Sequence, residues 1–168
     1  MPFRLPCRID LADESRTLRL ARALAPLLGA GDVLALRGEI GAGKSFFARA
    51  LIKARLAAAG RDEDVPSPTF TLVQTYRADD LEVWHSDLYR LSDPDEVFEL
   101  GLDEAFGSAL CLIEWPDRLG PALPAGALVL DFTPGADDGA RILTLSSTEP
   151  GWARRLEAIL AAQDLADA

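Results

Sequence analysis

Apolar residues recur along this chain in two rhythms, and the places where the rhythm changes outline its elements. A short run around Leu5 to Ile9 predicts a first strand. From Ala12 to Leu28, the residues Leu20, Ala21, Leu24, Leu27 and Leu28 fall at helical spacing with arginines between them, which predicts an amphipathic helix closed by Gly29 and Gly31. Val33 to Leu36 is a continuous apolar run of strand length. The glycine-rich GEIGAGKS follows, then a helical stretch from Ser45 to Ala59 that stops at Gly60. The acidic RDEDVPSPTF, broken by Pro66 and Pro68, reads as a loop. Thr71 to Tyr76 and Leu81 to His85 predict the two strands of a hairpin around an Ala-Asp-Asp turn. Ser92-Asp93-Pro94-Asp95 predicts a helix start, with a hydroxyl cap, a proline in the first turn and acidic groups at the positive end of the dipole; that helix ends near Gly101. Leu110 to Ile113 predicts a buried strand ending on Glu114. Ala127 to Phe132 and Arg141 to Leu145 predict two more, and the Trp152, Leu156, Ile159, Leu160 spacing predicts a last helix over about 149–163. Strands and helices alternate, with hairpins inserted, so we expect a three-layer α/β domain with a mixed, mainly parallel sheet.

The chain has 168 residues, a length that suits one domain, and 49% apolar against 26% charged residues allow a substantial core. Its 17 basic and 27 acidic side chains give a net charge of −10, unevenly spread. Residues 1–60 carry 10 basic and 5 acidic groups (+5), residues 61–104 carry 3 and 13 (−10), and residues 105–168 carry 4 and 9 (−5). An acidic total disfavours direct docking on a nucleic-acid backbone or an anionic membrane, since both need a basic face. Cys7 and Cys111 stand far apart and outside any CxxC or Cys/His array, which argues against a disulfide framework or a zinc site and for a reducing compartment. The first residues hold no apolar stretch of signal-peptide length, and no uncharged apolar run approaches the ~20 residues of a membrane span. We therefore expect a cytoplasmic protein without membrane partners.

Gly38-Glu39-Ile40-Gly41-Ala42-Gly43-Lys44-Ser45 matches GxxxxGK[ST] in full. Its glycines let the backbone curl so that successive N–H groups converge on a phosphate, and the following helix aims its positive dipole end at the same point. Lys44 adds a mobile charge for the β- and γ-phosphates, and the Ser45 hydroxyl can ligate Mg²⁺. Given this composition the four fixed positions would coincide by chance about once in a thousand chains. The match also falls between a predicted strand and helix and uses one of only two lysines, the other being Lys53, which reads as a surface group. The expected fold is thus a P-loop NTPase-like domain spanning residues 1–168.

A nucleotide hydrolase also needs an acidic residue at the end of a neighbouring strand. Glu114, closing Leu110-Cys111-Leu112-Ile113, is one candidate, and Asp87, in His85-Ser86-Asp87-Leu88-Tyr89-Arg90, is another. His85 itself reads as a hydrogen-bonded structural residue. Arg37 and Arg90 read as surface groups, leaving no evident arginine finger. Trp84, Tyr89 and Trp152 read as core or interface residues.

GEIGAGKS, SPTFTLVQTY (67–76), HSDLYRLSDPDEVFELGL (85–102) and LIEWPDRLG (112–120), in that order, resemble the signature blocks of the TsaE (YjeE) family. These are small bacterial ATPases required for threonylcarbamoyladenosine synthesis on tRNA. The resemblance runs from the N-terminal helix through the final hairpin. It implies that Gly38, Glu39, Ile40, Gly41, Ala42, Gly43, Lys44, Ser45 and Phe46 surround the phosphates of ATP, with Mg²⁺ on Ser45 and on Glu114 or Asp87. It links Asp87 and Glu114 to hydrolysis, sets Trp115 beside the site, makes Thr69 and also Thr71 candidates for sensing the γ-phosphate, and brings Glu14 to the nucleoside. Ser45 stands where threonine is more usual; either hydroxyl can ligate the metal. The implied role is that of an accessory ATPase, slow alone and faster in complex, acting on TsaB with TsaD to sustain their catalytic cycle. Stable direct tRNA binding is not expected, and the acidic surface suits a protein partner. A small-molecule P-loop kinase is the alternative, although residues beyond 60 offer no basic lid. A GTPase is disfavoured, since Asp117-Arg118-Leu119-Gly120 fits DxxG but no NKxD occurs.

Overall fold

Seven strands form one mixed sheet in the order β1-β7-β6-β2-β5-β4-β3 in the computed structural model, which describes residues 3–162. In chain order the strands are β1 (Cys7–Leu11), β2 (Val33–Arg37), β3 (Val73–Ala78), β4 (Leu81–Asp87), β5 (Leu110–Glu114), β6 (Leu128–Pro134) and β7 (Arg141–Ser146). The helices are α1 (Glu14–Leu24), α2 (Lys44–Ala58), α3 (Glu96–Leu100), α4 (Leu102–Ser108) and α5 (Gly151–Ala162). The central strands β4, β5, β2 and β6 run parallel, while β3 on one side and β7 with β1 on the other are antiparallel additions. The hairpin insertions therefore extend a parallel centre in both directions, as the sequence pattern predicts.

Every residue of β5 is buried and four of the five in β2 are, which is why these segments read as continuous apolar runs rather than alternating ones. Helices cover both faces of the sheet. On one face α1, α2 and α5 meet the sheet through Leu20, Leu24, Phe47, Leu51, Trp152 and Leu156. On the other, α3, α4 and the 3-10 turn at Pro116–Ala122 close over Val33, Ala35, Cys111 and Ile113. Phe47 and Leu51 are fully enclosed, and burial of side chains this size stabilises by about 1.5–3 kcal/mol each. Cys7 and Cys111 lie in different clusters, and burial pushes the Cys111 thiol up to about 12, an inert value.

Several boundaries depart from expectation for local reasons. β1 begins at Cys7 and runs to Leu11, where Cys7, Ile9 and Leu11 alternate inward with exposed Arg8 and Asp10. α1 stops at Leu24 because Pro26 enters a 3-10 turn, Ala25–Leu27, which carries the chain to Leu28. α3 starts at Glu96 rather than at Ser92. The Ser92 hydroxyl donates to the Glu96 carboxylate (2.9 Å), which also accepts from the Asp93 N–H (3.2 Å), so Ser92 caps no backbone group of the helix. Gly101, at φ 84°, ends α3 and opens α4, an element the apolar spacing does not reveal. Residue 163 of the predicted last helix lies outside the described residues. Among the described residues no helix is long and apolar enough to cross a membrane.

Candidate functional site

β2 leads directly into the GEIGAGKS loop. Gly38 has φ 144°, and a Cβ there would stand 2.7 Å from the Phe132 carbonyl oxygen, so no other residue fits between this loop and β6. At Gly43, φ is 106° and the residue caps α2 without any side-chain hydrogen bond. The first turn of α2 thus lines the cleft with uncapped N–H groups, at the end of the helix where its dipole attracts anions.

Lys44 points back over this loop and is only 4% exposed. Its ammonium donates to the Gly38 carbonyl and, at 3.3 Å, to that of Glu39, and lies 3.8 Å from the centre of the Trp115 ring. Burial pushes the ammonium below the usual lysine value, and the negative charges of Glu114, Asp87 and Glu39 oppose that shift. Trp115 adopts left-handed backbone angles (φ 58°, ψ 52°), a costly conformation for a bulky side chain. The turn seats its ring against both Lys44 and Tyr89, the latter at 4.9 Å between centroids.

The two acidic candidates arrive together because β4 and β5 are neighbours with Asp87 opposite Glu114. Glu114 is 2% exposed, and both of its oxygens are held. Oε1 accepts from the Ser45 hydroxyl at 2.7 Å, and Oε2 lies 2.7 Å from His85 Nε2. His85 is fully buried, with no partner at Nδ1 among the described residues, so it orients a carboxylate rather than lining the cleft. Asp87 accepts the Tyr89 N–H at Oδ1 (3.0 Å) and the Thr69 hydroxyl at Oδ2 (3.3 Å). The Thr69 hydroxyl also shares a hydrogen bond with Ser67 (2.7 Å), and the Asp87 N–H donates to the Leu72 carbonyl. The 67–72 loop is therefore tied to Asp87 by side chain and backbone.

A cleft of about 480 Å³ joins these groups. It brings together Glu14, Ile40 to Phe46, Thr69, Asp87, Glu114 and Trp115. Three residues proposed from sequence stand apart from its lining. Gly38 and Glu39, at the start of the loop, line a neighbouring groove with Asp117 and Asp131 and contribute carbonyls to Lys44 instead. Thr71 accepts from Gln74 Nε2 at 3.0 Å and does not reach the cleft. Thr17, Tyr89, Arg90, Phe132, Gly139 and Arg141 line it as well. Tyr89 is 43% exposed there rather than in the core. Arg90 is on the surface as expected, yet also in the cleft, with its guanidinium 4.8 Å from the exposed Phe70 ring. Arg37 pairs with Asp117 at 3.3 Å outside the cleft, and Lys53 is exposed on α2. No short motif marks the distal residues, which the β6–β7 hairpin and α1 bring in from far along the chain.

The donor set suits a particular chemistry. A hydroxyl and two carboxylates are hard oxygen donors, few enough that a small divalent cation such as Mg²⁺ would keep waters and take further oxygens from a phosphate. The uncapped N–H groups and Lys44 can hold the phosphate itself, and the cleft volume lies in the range of small-molecule sites.

Comparison with known proteins gives a consistent result. Residues 11–142 match the family model described as threonylcarbamoyl adenosine biosynthesis protein TsaE. The chain is 45% identical to the tRNA threonylcarbamoyladenosine biosynthesis protein TsaE of Rickettsia conorii over 107 residues, which cover 64% of this chain and 59% of that one. The matched stretch thus spans about three fifths of that relative's length. The protein of the same description from Rickettsia bellii is 36% identical over 137 residues, covering 82% of this chain and 92% of the relative. The crystal structure of Bacillus subtilis YdiB superposes with a TM-score of 0.74 at 28% identity, over 94% of this chain and 95% of YdiB.

Proposed function

The chain belongs to the TsaE family, and on that premise we propose that it is a Mg²⁺-dependent ATP-binding and ATP-hydrolysing protein serving threonylcarbamoyladenosine biosynthesis on tRNA. It acts as an accessory to the TsaB–TsaD complex, sustaining repeated catalytic cycles, and does not itself carry the modification chemistry. One observation supports the enzymatic reading above others. The Ser45 hydroxyl of the glycine-rich loop is hydrogen bonded to the Glu114 carboxylate of a neighbouring strand, within the same cleft as Lys44 and Asp87.

In this reading the N–H groups of α2 and the Lys44 ammonium bind the phosphates of ATP, Ser45 and Glu114 hold the metal, and Asp87 orients the attacking water. Bound Mg²⁺ supplies charge neutralisation at the phosphoryl oxygens, which is most of what phosphoryl transfer requires of a protein. Trp115 screens Lys44 from solvent, and Thr69, bonded to Asp87, carries the state of the site to the 67–72 loop. Among the residues lining the cleft the arginines are Arg90, which lies against Phe70, and Arg141, whose donors are taken by loop carbonyls; slow turnover by the protein alone is expected. The net charge of −10 favours a protein partner over direct contact with tRNA.

The test is ATP hydrolysis with Mg²⁺ by the protein alone, with TsaB–TsaD, and with a panel of metabolites. Slow turnover alone, acceleration by TsaB–TsaD, and weakened ATP binding in Lys44→Ala are expected. A phosphorylated metabolite would establish a small-molecule kinase instead, and rapid turnover indifferent to any partner would remove the accessory role.

A further inference from the structure

The loop that carries Lys44 packs its Ala42 side chain into the core, but the glycines on either side of Ala42 have open space beside them. Gly41 and Gly43 have φ of 80° and 106°, and a Cβ at either position would meet nothing within 4 Å. Glycines so placed are free to change conformation, and a phosphate would have to pay to order them. Yet the carbonyls of this stretch are held, by a residue 99 positions further along the chain. Arg141 Nε donates to the Ala42 carbonyl at 2.8 Å, and Nη2 donates to the Gly41 carbonyl at 2.9 Å. Its other Nη donates to the Ala140 carbonyl at 2.8 Å. Arg141 opens β7, whose backbone there is paired with Leu11 of β1 and Pro134 of β6, so the fork is mounted on a strand held from both sides.

We infer that Arg141 is a positioning residue that braces the GEIGAGKS loop in its phosphate-receiving form, a role that rests on the nucleotide-binding reading above. In a trans peptide the C=O and N–H groups point in opposite directions. Turning the Ala42 carbonyl onto the guanidinium therefore directs the Gly43 N–H away from it, while the neighbouring Ala42 N–H is taken by the Glu39 carbonyl at 3.0 Å. The guanidinium also offsets two carbonyl dipoles that would repel an anion. A lysine cannot substitute, because a single ammonium on a flexible stem does not present the parallel donors that span two successive carbonyls. The brace acts on the loop common to all phosphates rather than on the terminal phosphate, and this gives it a signature.

Dissociation constants for ADP and ATP, each with Mg²⁺, are measured on the full chain for the parent, Arg141→Lys and Arg141→Ala, with circular dichroism to follow folding. Both variants are expected to bind ADP and ATP more weakly by the same factor, roughly tenfold or more. In steady state KM rises while kcat falls much less. Should Arg141→Ala not fold, Arg141→Lys decides alone. Unchanged affinity for both nucleotides overturns the brace. Weakening of ATP alone overturns it too, by making Arg141 a contact to the γ-phosphate. A parent protein that binds neither nucleotide sinks the nucleotide reading itself, an outcome distinct from parent binding that Arg141 substitutions leave intact.

Discussion

The two ends of β2 carry charge in opposite ways. At its amino end, Asp32 receives both Nη groups of Arg155, at 2.9 and 2.6 Å, and also the Gly29 N–H at 2.8 Å. Arg155 spends a further donor on the Leu27 carbonyl and stacks its guanidinium 4.2 Å over Trp152. Hydrogen bonding and charge from Asp32 hold this guanidinium above its already high value. The carboxylate and both Nη groups there are answered within the chain. At the carboxyl end, Lys44, Asp87 and Glu114 are more deeply buried, yet the ammonium rests on carbonyls and a ring, and forms no ion pair with either carboxylate among the described residues. Burial weakens the charged state of Lys44, and the nearby negative charges of Glu114, Asp87 and Glu39 oppose that only in part. The difference separates a pair that completes itself from a cluster that, on the proposed function, a phosphate and a metal ion would complete.

The largest expected effect tests the incomplete end. Glu114→Ala and Asp87→Ala should each lower the rate of ATP hydrolysis on the order of a hundredfold, while changing ATP affinity much less. Single-turnover hydrolysis beside equilibrium binding makes the measurement. Variants that hydrolyse ATP at the parent rate would mean that these carboxylates are as structural as Asp32. A loss confined to binding would place them with Lys44 as nucleotide contacts only.

A smaller effect tests the completed end. Arg155→Ala should lower the unfolding free energy by about 1–2 kcal/mol, the value of hydrogen bonds to a charged group discounted for the 35% exposure of the arginine side chain. In urea unfolding this appears as a lower midpoint, and in isothermal titration the ATP affinity is unaltered. If ATP affinity falls as far as it does in Lys44→Ala, the two ends of β2 are coupled and the contrast between them fails.

What could be read from sequence divides along the same line of locality. GEIGAGKS announces itself because a phosphate loop is built from consecutive residues, and Glu114 and Asp87 were accessible because the one closes an apolar run and the other directly follows a predicted strand. That those two runs lie side by side with Asp87 opposite Glu114 is a property of the sheet, and no spacing along the chain reveals it. The same holds more strongly for Arg141, which reads as one more strand residue in an arginine-rich chain until β7 brings it to Gly41 and Ala42. His85 was legible as a bonded structural residue, but its partner Glu114, 29 positions away, was not. Errors in the elements are local competitions. Pro26 overrides the leucine periodicity of α1, and the Ser92 hydroxyl finds the Glu96 carboxylate before it finds a backbone N–H. β1 runs on past Ile9 to Leu11 because Asp10, in a half-exposed strand, is simply an outward position.

The smallest effect lies where the stabilising kind of charge touches the cleft. Asp13 caps α1, accepting the Arg16 N–H at 3.1 Å and the Ser15 hydroxyl at 2.6 Å, and the helix it starts places Glu14 and Thr17 in the cleft. The Ser15 hydroxyl first, and the Arg16 N–H next, hold the Asp13 carboxyl below the usual carboxylate value. A carboxyl lowered in the folded state contributes stability above its unfolded value and loses it as pH falls through the lowered one. Asp13→Ala should therefore reduce Tm slightly at neutral pH, with the gap to the parent closing in acid, while Asp13→Asn retains a cap and loses only the pH dependence. Thermal unfolding of the three proteins across the acid range measures both. A gap independent of pH would show that Asp13 acts through its shape and not its charge, leaving Arg155 and Asp32 as the charge pair in this comparison that supports the fold alone.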